Sequence, residues 1–366
     1  MPLSVSVPKD FSRRRIELGI ADIAFGGAGV GRFEGKAVFV PLTIDGEAVE
    51  TEIVERRKRF DRGVATKIIK SSPHRVAPPC PYFGRCGGCD YQHIDYAHQL
   101  KLKLNQTTQA LQRIALLKEI EVSPIIAAPK HYGYRNRITI HADEGRIGFY
   151  QKNSRQVLDI TQCAIATPSV NALFSSVRER GMRDGAHLTL RENETNRTFT
   201  QTNDAVADLL LDYVRDRARG RILVDAYAGS GFFAHALATQ FERVIGIEWN
   251  EPAVRIARSR ATANEEYLCA DVGDVLESVL HEHHADCVIL DPSAEGLDEK
   301  TVRAVLNTAP QKVTYVSCNP PALARDLAKL TTAFHVESVQ PFDMFPQTAE
   351  IEVVAVLSRA PGPRPV

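Results

Sequence analysis

Cysteine and carboxylate chemistry can be located on this chain before its elements are drawn. The runs Asp286-Cys-Val-Ile-Leu-Asp291 and Lys312-Val-Thr-Tyr-Val-Ser317 read as strands. They end in Asp291-Pro292-Ser293 and Ser317-Cys318-Asn319-Pro320. In an open α/β sheet, ligands bind at the carboxyl ends of strands, so Cys318 stands where a nucleophile is useful. The thiolate is the reactive form, which predicts a site that lowers the thiol from its ordinary value of about 8.5. A base can come from Asp343-Met-Phe-Pro-Gln-Thr-Ala-Glu350-Ile-Glu352, which leads into the apolar strand Val353-Val-Ala-Val-Leu357. Strand alternation predicts Glu350 and Glu352 on one face. Paired carboxylates raise the pKa of one member.

A second constellation is a ligand turn. The strand Arg221-Ile-Leu-Val-Asp225 runs into Ala226-Tyr227-Ala-Gly229-Ser-Gly231 and then a helix. Glycines there let a ligand approach the backbone closely. Glu248 ends the next strand 19 positions after Gly229, where a carboxylate meets ribose hydroxyls, and Asp271 follows a third short strand, suited to an adenine amino group. Together they point to an adenosine ligand without a pyrophosphate. Cys80-Pro-Tyr-Phe-Gly-Arg-Cys86-Gly-Gly-Cys89 has a spacing that admits either zinc or an iron–sulfur cluster. Cys269, Cys287 and the His281/His283/His284 group lack such a pattern and read as core thiols and a solvated loop. Gly27-Ala-Gly29-Val-Gly31 mimics a nucleotide loop, but a hairpin and another strand follow it, so it reads as a turn.

The elements that must position these residues form three expected domains. Residues 1–72 carry short apolar runs at 15–23, 36–42, 48–54 and 63–69, separated by turns, which suit a small β-barrel of a kind often used on RNA. Ser71-Ser-Pro73 and Pro78-Pro79 mark the boundary. Residues 73–203 hold the cysteine segment, a helix over about 94–117 and further short strands such as Arg137–His141 and Gly145–Tyr150. From 204 to 366, strands and helices alternate, which predicts a doubly wound parallel sheet; the fold class is α/β.

Lys+Arg 45 against Asp+Glu 45 leaves no net charge, so composition alone does not announce a nucleic-acid partner. Distribution says more. Arg56, Arg57, Lys58, Arg59, Arg62, Lys67, Lys70 and Arg75 face Asp61 alone, a stripe able to track a phosphate backbone or to guard a strand edge. The Met1–Asp10 start lacks a signal-peptide pattern, and no apolar run reaches the ~20 residues that span a bilayer. Seven cysteines without an export signal favour reduced thiols, metal ligands or catalysis, and a cytoplasmic protein.

At these residues the sequence strongly resembles the bacterial RNA (uracil-5-)-methyltransferases, which make 5-methyluridine in 23S ribosomal RNA or tRNA. The matching pieces are Phe199-Thr-Gln201-Thr-Asn203, Asp225-Ala-Tyr-Ala-Gly-Ser-Gly231, Val316-Ser-Cys318-Asn-Pro320, Leu323-Ala-Arg-Asp-Leu327 and Asp343-Met-Phe-Pro-Gln-Thr348. With a barrel that looks like the family's TRAM domain, the likeness covers nearly the whole chain. It implies a Rossmann-like domain using S-adenosylmethionine, with Cys318 as nucleophile and Glu352 as base. Gln201, Tyr227, Glu248, Asp271 and Asp291 would contact the methyl donor beside the Gly229–Gly231 turn, with Gln201 and Asp291 also near the uracil. The family pattern further implies a 4Fe–4S cluster on Cys80, Cys86, Cys89 and a remote fourth thiolate, Cys163. The implied partner is RNA, with 23S ribosomal RNA favoured over tRNA by the barrel, and the implied state is a monomer.

The chain departs from the family's pattern in three places. Ser293-Ala294 follows Asp291-Pro292 where the family usually has Pro-Arg, and Glu350 stands at a usual histidine. Arg191-Glu-Asn-Glu-Thr-Asn-Arg197 runs almost directly into Phe199, which trims the central domain by several tens of residues. Those changes motivate a competing reading, a non-catalytic RNA-binding relative. An iron–sulfur redox protein is a third, but it leaves the C-terminal half unexplained.

Overall fold

The structure is a computed structural model that describes residues 14–192 and 201–360. The Met1–Asp10 start, Asn193–Arg197 of the trimmed run, and Phe199 and Thr200 of the Gln201 motif lie outside the described residues. The chain divides into two compact units. One gathers residues up to Leu102 with Gln151–Ser154 and Gln347–Ala349; the other holds Lys103–Tyr150, Arg155–Pro346 and the residues from Glu350 on.

The first unit is built on β1 (Arg15–Ile23), β2 (Ala28–Phe33), β3 (Lys36–Pro41), β4 (Ala48–Arg56) and β5 (Phe60–Lys70). They close into a barrel in the order β1-β2-β3-β5-β4. Alternation does the work: along β1, inward Ile16, Leu18 and Ile20 alternate with exposed neighbours. Val38, Val40, Ile44 and Val49 join them, with Tyr91, Ile94 and Leu102 closing one side. Each such side chain contributes ~1.5–3 kcal/mol by leaving water. The glycine run is a turn only in its first part. Gly26 and Gly27 take left-handed φ of +92° and +89°, and β2 then begins at Ala28. Gly29 and Gly31 are strand residues; a Cβ on Gly31 would stand 2.5 Å from the Gly19 carbonyl oxygen.

The basic stripe is partly spent on internal pairing. Arg57 and Arg62 pair with Glu55, and Arg75 lies 2.6 Å from a fully buried Glu47.

Helix α1 (Tyr96–Arg113) ends four residues before the expected Leu117. In the second unit, β6 (Arg137–Asp143), β7 (Arg146–Tyr150), β8 (Val157–Asp159), α2 (Pro168–Arg180) and β9 (His187–Arg191) follow. Their strands form an antiparallel sheet ordered β8-β7-β6-β9.

The alternating half runs α3 (Asp204–Arg217), β10 (Ile222–Ala226), α4 (Phe232–Leu237), β11 (Arg243–Glu248), α5 (Glu251–Arg260), β12 (Glu265–Cys269), α6 (Val272–Glu282), β13 (Cys287–Leu290), α7 (Glu299–Thr308), β14 (Lys312–Ser317), α8 (Pro320–Leu330), β15 (Phe334–Phe342) and β16 (Glu352–Arg359). The seven strands are ordered β12-β11-β10-β13-β14-β16-β15; the first five are parallel, and β16 and β15 are antiparallel additions. Chain order reverses between β10 and β13, the switch point at which doubly wound sheets take ligands. Buried on both faces, β13 reads Cys-Val-Ile-Leu without alternation. No helix among the described residues is long and apolar enough to cross a membrane.

Candidate active site

At the end of β10 the chain turns sharply. Tyr227 and Gly229 adopt φ of +68° and +55°, and Gly231, at +88°, caps α4. This geometry aims the Gly229 amide at Glu248, whose Oε2 accepts it at 3.0 Å while Oε1 accepts the Asn250 amide at 2.8 Å. The carboxylate is thereby fixed at the end of β11. A Cβ on Gly231 would stand 2.6 Å from the Tyr267 hydroxyl, so the turn has no room for a side chain there. The Tyr227 hydroxyl shares a hydrogen bond with Thr301 at 3.1 Å. Asp271 caps α6, accepting the Gly273 amide at 2.9 Å.

The reacting end lies across the switch point. β14 and β16 pair with Ser317 opposite Val353, which brings Cys318 and Glu352 to the same end of the two strands. Asn319 pins the turn on both sides: Oδ1 accepts the Ala322 amide at 3.3 Å and Nδ2 donates to the Ala294 carbonyl at 2.7 Å. Arg325 holds the same Ser293–Leu297 loop through the Glu295 carbonyl at 2.8 Å. Gln201, Tyr227, Gly229, Glu248 and Asp271 line one cleft of ≈ 980 Å³ with Asp291, Cys318 and Glu352.

Two expectations about this end need correcting. Strand alternation is not what relates Glu350 to Glu352, because β16 begins only at Glu352 and Glu350 precedes it, exposed where Glu352 is 5% exposed; the expected effect of the pair is nonetheless present, since Glu350 adds to the rise of the Glu352 carboxyl. Nor is the Cys318 thiol lowered. Burial pushes it up to about 12, with Glu352, Asp291 and Glu350 adding to the effect. The same cause acts on the acids. Burial raises Asp291 to about 7. Burial, then Asp291 and Glu350, holds Glu352 well above the usual carboxylate range. Fully buried Asp225 is pushed up to about 8 by burial, against the Ala234 amide that it accepts at 2.8 Å. Asp291 and Glu352 thus hold their protons more tightly than free carboxyls do, and a cationic group placed beside them would offset that effect.

The comparisons agree with this chemistry. A family profile described as tRNA (Uracil-5-)-methyltransferase matches residues 177–267 and 274–360, and a general methyltransferase-domain profile matches 224–311. An uncharacterized RNA methyltransferase of Bdellovibrio bacteriovorus is 33% identical, the alignment covering 94% of this chain and 95% of that one. The chain belongs to the RNA (uracil-5-)-methyltransferase family. A relative from Gloeobacter violaceus, also an uncharacterized RNA methyltransferase, is 30% identical over 93% of this chain and 96% of its own. Among solved structures, the Pyrococcus abyssi tRNA (uracil-54, C5)-methyltransferase in complex with S-adenosyl-L-homocysteine superposes with a TM-score of 0.72. It is 25% identical, with 93% of this chain and all of that one covered.

In this member of the uracil methyltransferases, several cleft residues escaped sequence reasoning. Trp249, the single tryptophan, follows Glu248 and is 68% exposed at the cleft. Phe345 also lines it, on a loop without regular structure whose successive carbonyls are each held by a distant side chain. Asn203 donates to Met344 O at 3.3 Å, Lys103 to Phe345 O at 3.0 Å and Tyr134 to Pro346 O at 2.9 Å. Lys103 and Asp343, both fully buried, pair at 2.6 Å. Residues 240 positions apart leave no local pattern to read. Arg135, Arg137 and Arg191 form part of the lining as well.

The cysteine segment lies in the first unit. Cys80, Cys86 and Cys89 are half-buried on a series of turns, and the Gly88 amide lies 3.4 Å from Cys86 Sγ. Gln92 accepts the Cys80 amide at 3.3 Å. Cys163 belongs to the second unit, where Asn171 of α2 holds its backbone N–H and carbonyl. No group of three His, Cys, Asp or Glu side chains placed to hold a metal ion occurs among the described residues.

Proposed function

We propose that this enzyme methylates C5 of a specific uridine in 23S ribosomal RNA, using S-adenosylmethionine and a transient bond from Cys318 to C6 of the base. The observation that carries the reading is the meeting of Cys318 and buried Glu352 in the same cleft as the Gly229–Glu248 turn. Glu248 and Asp271 would hold the adenosine, and Asp291 and Gln201 would stand between donor and base. S-adenosylmethionine supplies the methyl group and, in its sulfonium, a positive charge beside these acids.

With that charge offset, Cys318 releases its proton to solvent and Sγ bonds to C6 of a base drawn out of its stack. The C5–C6 π pair moves toward the C4 carbonyl, and C5 of the resulting enolate takes the methyl group as the methyl–sulfur bond breaks, its electron pair staying with the departing S-adenosylhomocysteine. Glu352, as carboxylate, removes the C5 proton. The electron pair of that C–H bond restores the double bond as the Sγ–C6 bond breaks, returning the thiolate. Cys318→Ala should abolish transfer of a labelled methyl group to RNA. Glu352→Gln should accumulate a covalent RNA adduct visible on a denaturing gel. Full activity in Cys318→Ala would end the covalent reading.

The closed N-terminal barrel, which looks like a TRAM domain, favours 23S ribosomal RNA as the target. The likeness over 93% of the chain to a structure named for tRNA uracil 54 favours a second reading, tRNA methylation. Mass-spectrometric mapping of 5-methyluridine in cells with and without the gene separates them. One site should vanish, from 23S ribosomal RNA on the first reading and from tRNA on the second. Such substrates put the enzyme in the cytoplasm, and a monomer is the expected state.

The proposal extends to a 4Fe–4S cluster on Cys80, Cys86 and Cys89, with Cys163 as fourth ligand. All donors are thiols, and an amide aimed at Cys86 Sγ suits a bound thiolate. A cluster there would brace the turns; methyl transfer needs no electron carrier. Iron and sulfide analysis of anaerobically purified protein should find four of each per chain, by ordinary 4Fe–4S stoichiometry, and Cys86→Ser should lose them.

A further inference from the structure

The cleft of the second unit is lined by groups of both charges. Its acids, Glu248, Asp271, Asp291, Glu295, Asp298 and Glu352, come from the half built on β10–β16, and its arginines, Arg135, Arg137 and Arg191, lie on or beside β6 and β9. Arg137 opens β6, and the residue directly across from it in β9 is Arg191. Like charges in that position work against the pairing of two strands. The arrangement is nonetheless held firmly. Arg135 Nε donates to the Arg137 carbonyl at 3.2 Å. Between the two, the Asn136 amide donates to the Gln201 carbonyl at 2.8 Å and to Asp204 at 2.5 Å. The arginine strand is thus tied to the segment that brings Gln201 into the cleft. Burial, then Arg191 and Arg135, lowers the pKa of Arg137 from its ordinary value, yet a guanidinium remains charged at any working pH. Three guanidinium groups lining a nucleotide-sized cleft suit a polyanionic ligand.

We propose that Arg135, Arg137 and Arg191 form a phosphate clamp that grips the RNA backbone flanking the target uridine. The acids take the cationic donor and the arginines the anionic substrate, so each ligand is steered to its own set of groups. The clamp also supplies positive charge to a cleft whose Ser293-Ala294 lacks the family's arginine. This inference rests on the reading of the chain as an RNA methyltransferase, but its test requires no methyl transfer.

The probe is a fluorescent short uridine oligonucleotide, its binding followed by anisotropy from about 50 to about 200 mM salt. Each of Arg135→Gln, Arg137→Gln and Arg191→Gln should flatten the slope of log K against log salt by about 0.7, one phosphate's worth on a single strand. Affinity at the lowest salt should fall severalfold. Arg137→Lys should restore the slope, because charge and not shape sets it. A methylphosphonate-backbone oligonucleotide, which has no phosphate charge, should bind wild type and variants alike. Trp249 fluorescence on adding S-adenosylhomocysteine checks that the cleft is intact; if Arg137→Gln fails to fold, the other two variants decide. Slopes unchanged in the folded variants, or equal losses with the neutral oligonucleotide, would overturn the clamp.

Discussion

Gly27-Ala-Gly29-Val-Gly31 and Ala226-Tyr-Ala-Gly229-Ser-Gly231 look alike on paper, and the structure uses them in opposite ways. In the barrel, Gly29 and Gly31 are strand residues whose missing side chains let β1 and β2 approach. In the sheet unit, Gly229 and Gly231 have left-handed backbones that aim an amide at Glu248 and open a cleft. Glycine in the first place serves packing, and in the second it makes room for a ligand. Alanine substitutions separate the two roles. Gly31→Ala puts a methyl 2.5 Å from the Gly19 carbonyl oxygen and 2.6 Å from Leu18. It should cost about 3 kcal/mol or more in chemical denaturation, while S-adenosylhomocysteine binding by the folded fraction stays as in wild type. A variant with unchanged stability would refute the packing role.

Gly231→Ala should show the reverse signature. A non-glycine residue at φ +88° costs about 1–3 kcal/mol. The atom its methyl would meet at 2.6 Å is the hydroxyl of buried Tyr267, which donates to Glu265 at 2.7 Å, so the clash falls on the ligand turn and not on a strand pairing. The larger loss should be in donor affinity, at least tenfold by Trp249 fluorescence, because the turn that presents the Gly229 amide is displaced. Equal affinity in Gly231→Ala and wild type would mean that the two glycine runs differ less than their conformations suggest.

What the sequence disclosed follows the same division between local and distant causes. The Gly229–Glu248 spacing was legible because a strand, a turn and the next strand end are a local unit. The closed barrel could be anticipated from short alternating runs, although β2 hid inside its glycines. Failures came where distant groups decide. Glu350 does act on Glu352, but not through strand alternation, since the strand starts only at Glu352. The Cys318 thiol was expected to be acidic; burial and the carboxylates of Asp291 and Glu352, from other strands, move it the other way. Lys103 holding Asp343 and the Phe345 carbonyl, like Arg137 meeting Arg191, depends on contacts that no local pattern announces.

The last expected effect is in pH dependence, and it too divides the units. In the barrel unit, burial raises Glu47, but the Arg75 guanidinium and the Ile44 and Ser72 amides outweigh it and hold the carboxyl below its ordinary 4.5. Folding there releases a proton, so this stabilisation is present above pH 4.5 and is lost as pH falls through the lowered value. In the sheet unit, Asp291 rises from 3.8 to about 7 and Asp225 from 3.8 to about 8. These carboxyls keep protons that the unfolded chain would release. Their contribution is complete below pH 3.8 and drains away as pH rises to 7 or 8, with a slope of at most about 1.4 kcal/mol per pH unit for each proton. Stability of the donor-free protein should therefore fall from pH 5 to pH 8 and flatten in Asp291→Asn, measured by denaturant titration. S-adenosylmethionine, with its positive sulfonium, should flatten it further, whereas S-adenosylhomocysteine, whose thioether sulfur is neutral, should act less. An equal effect of both ligands would show that the buried acids do not answer to the donor's charge, and that their proton affinity belongs to packing, like the glycines of the barrel.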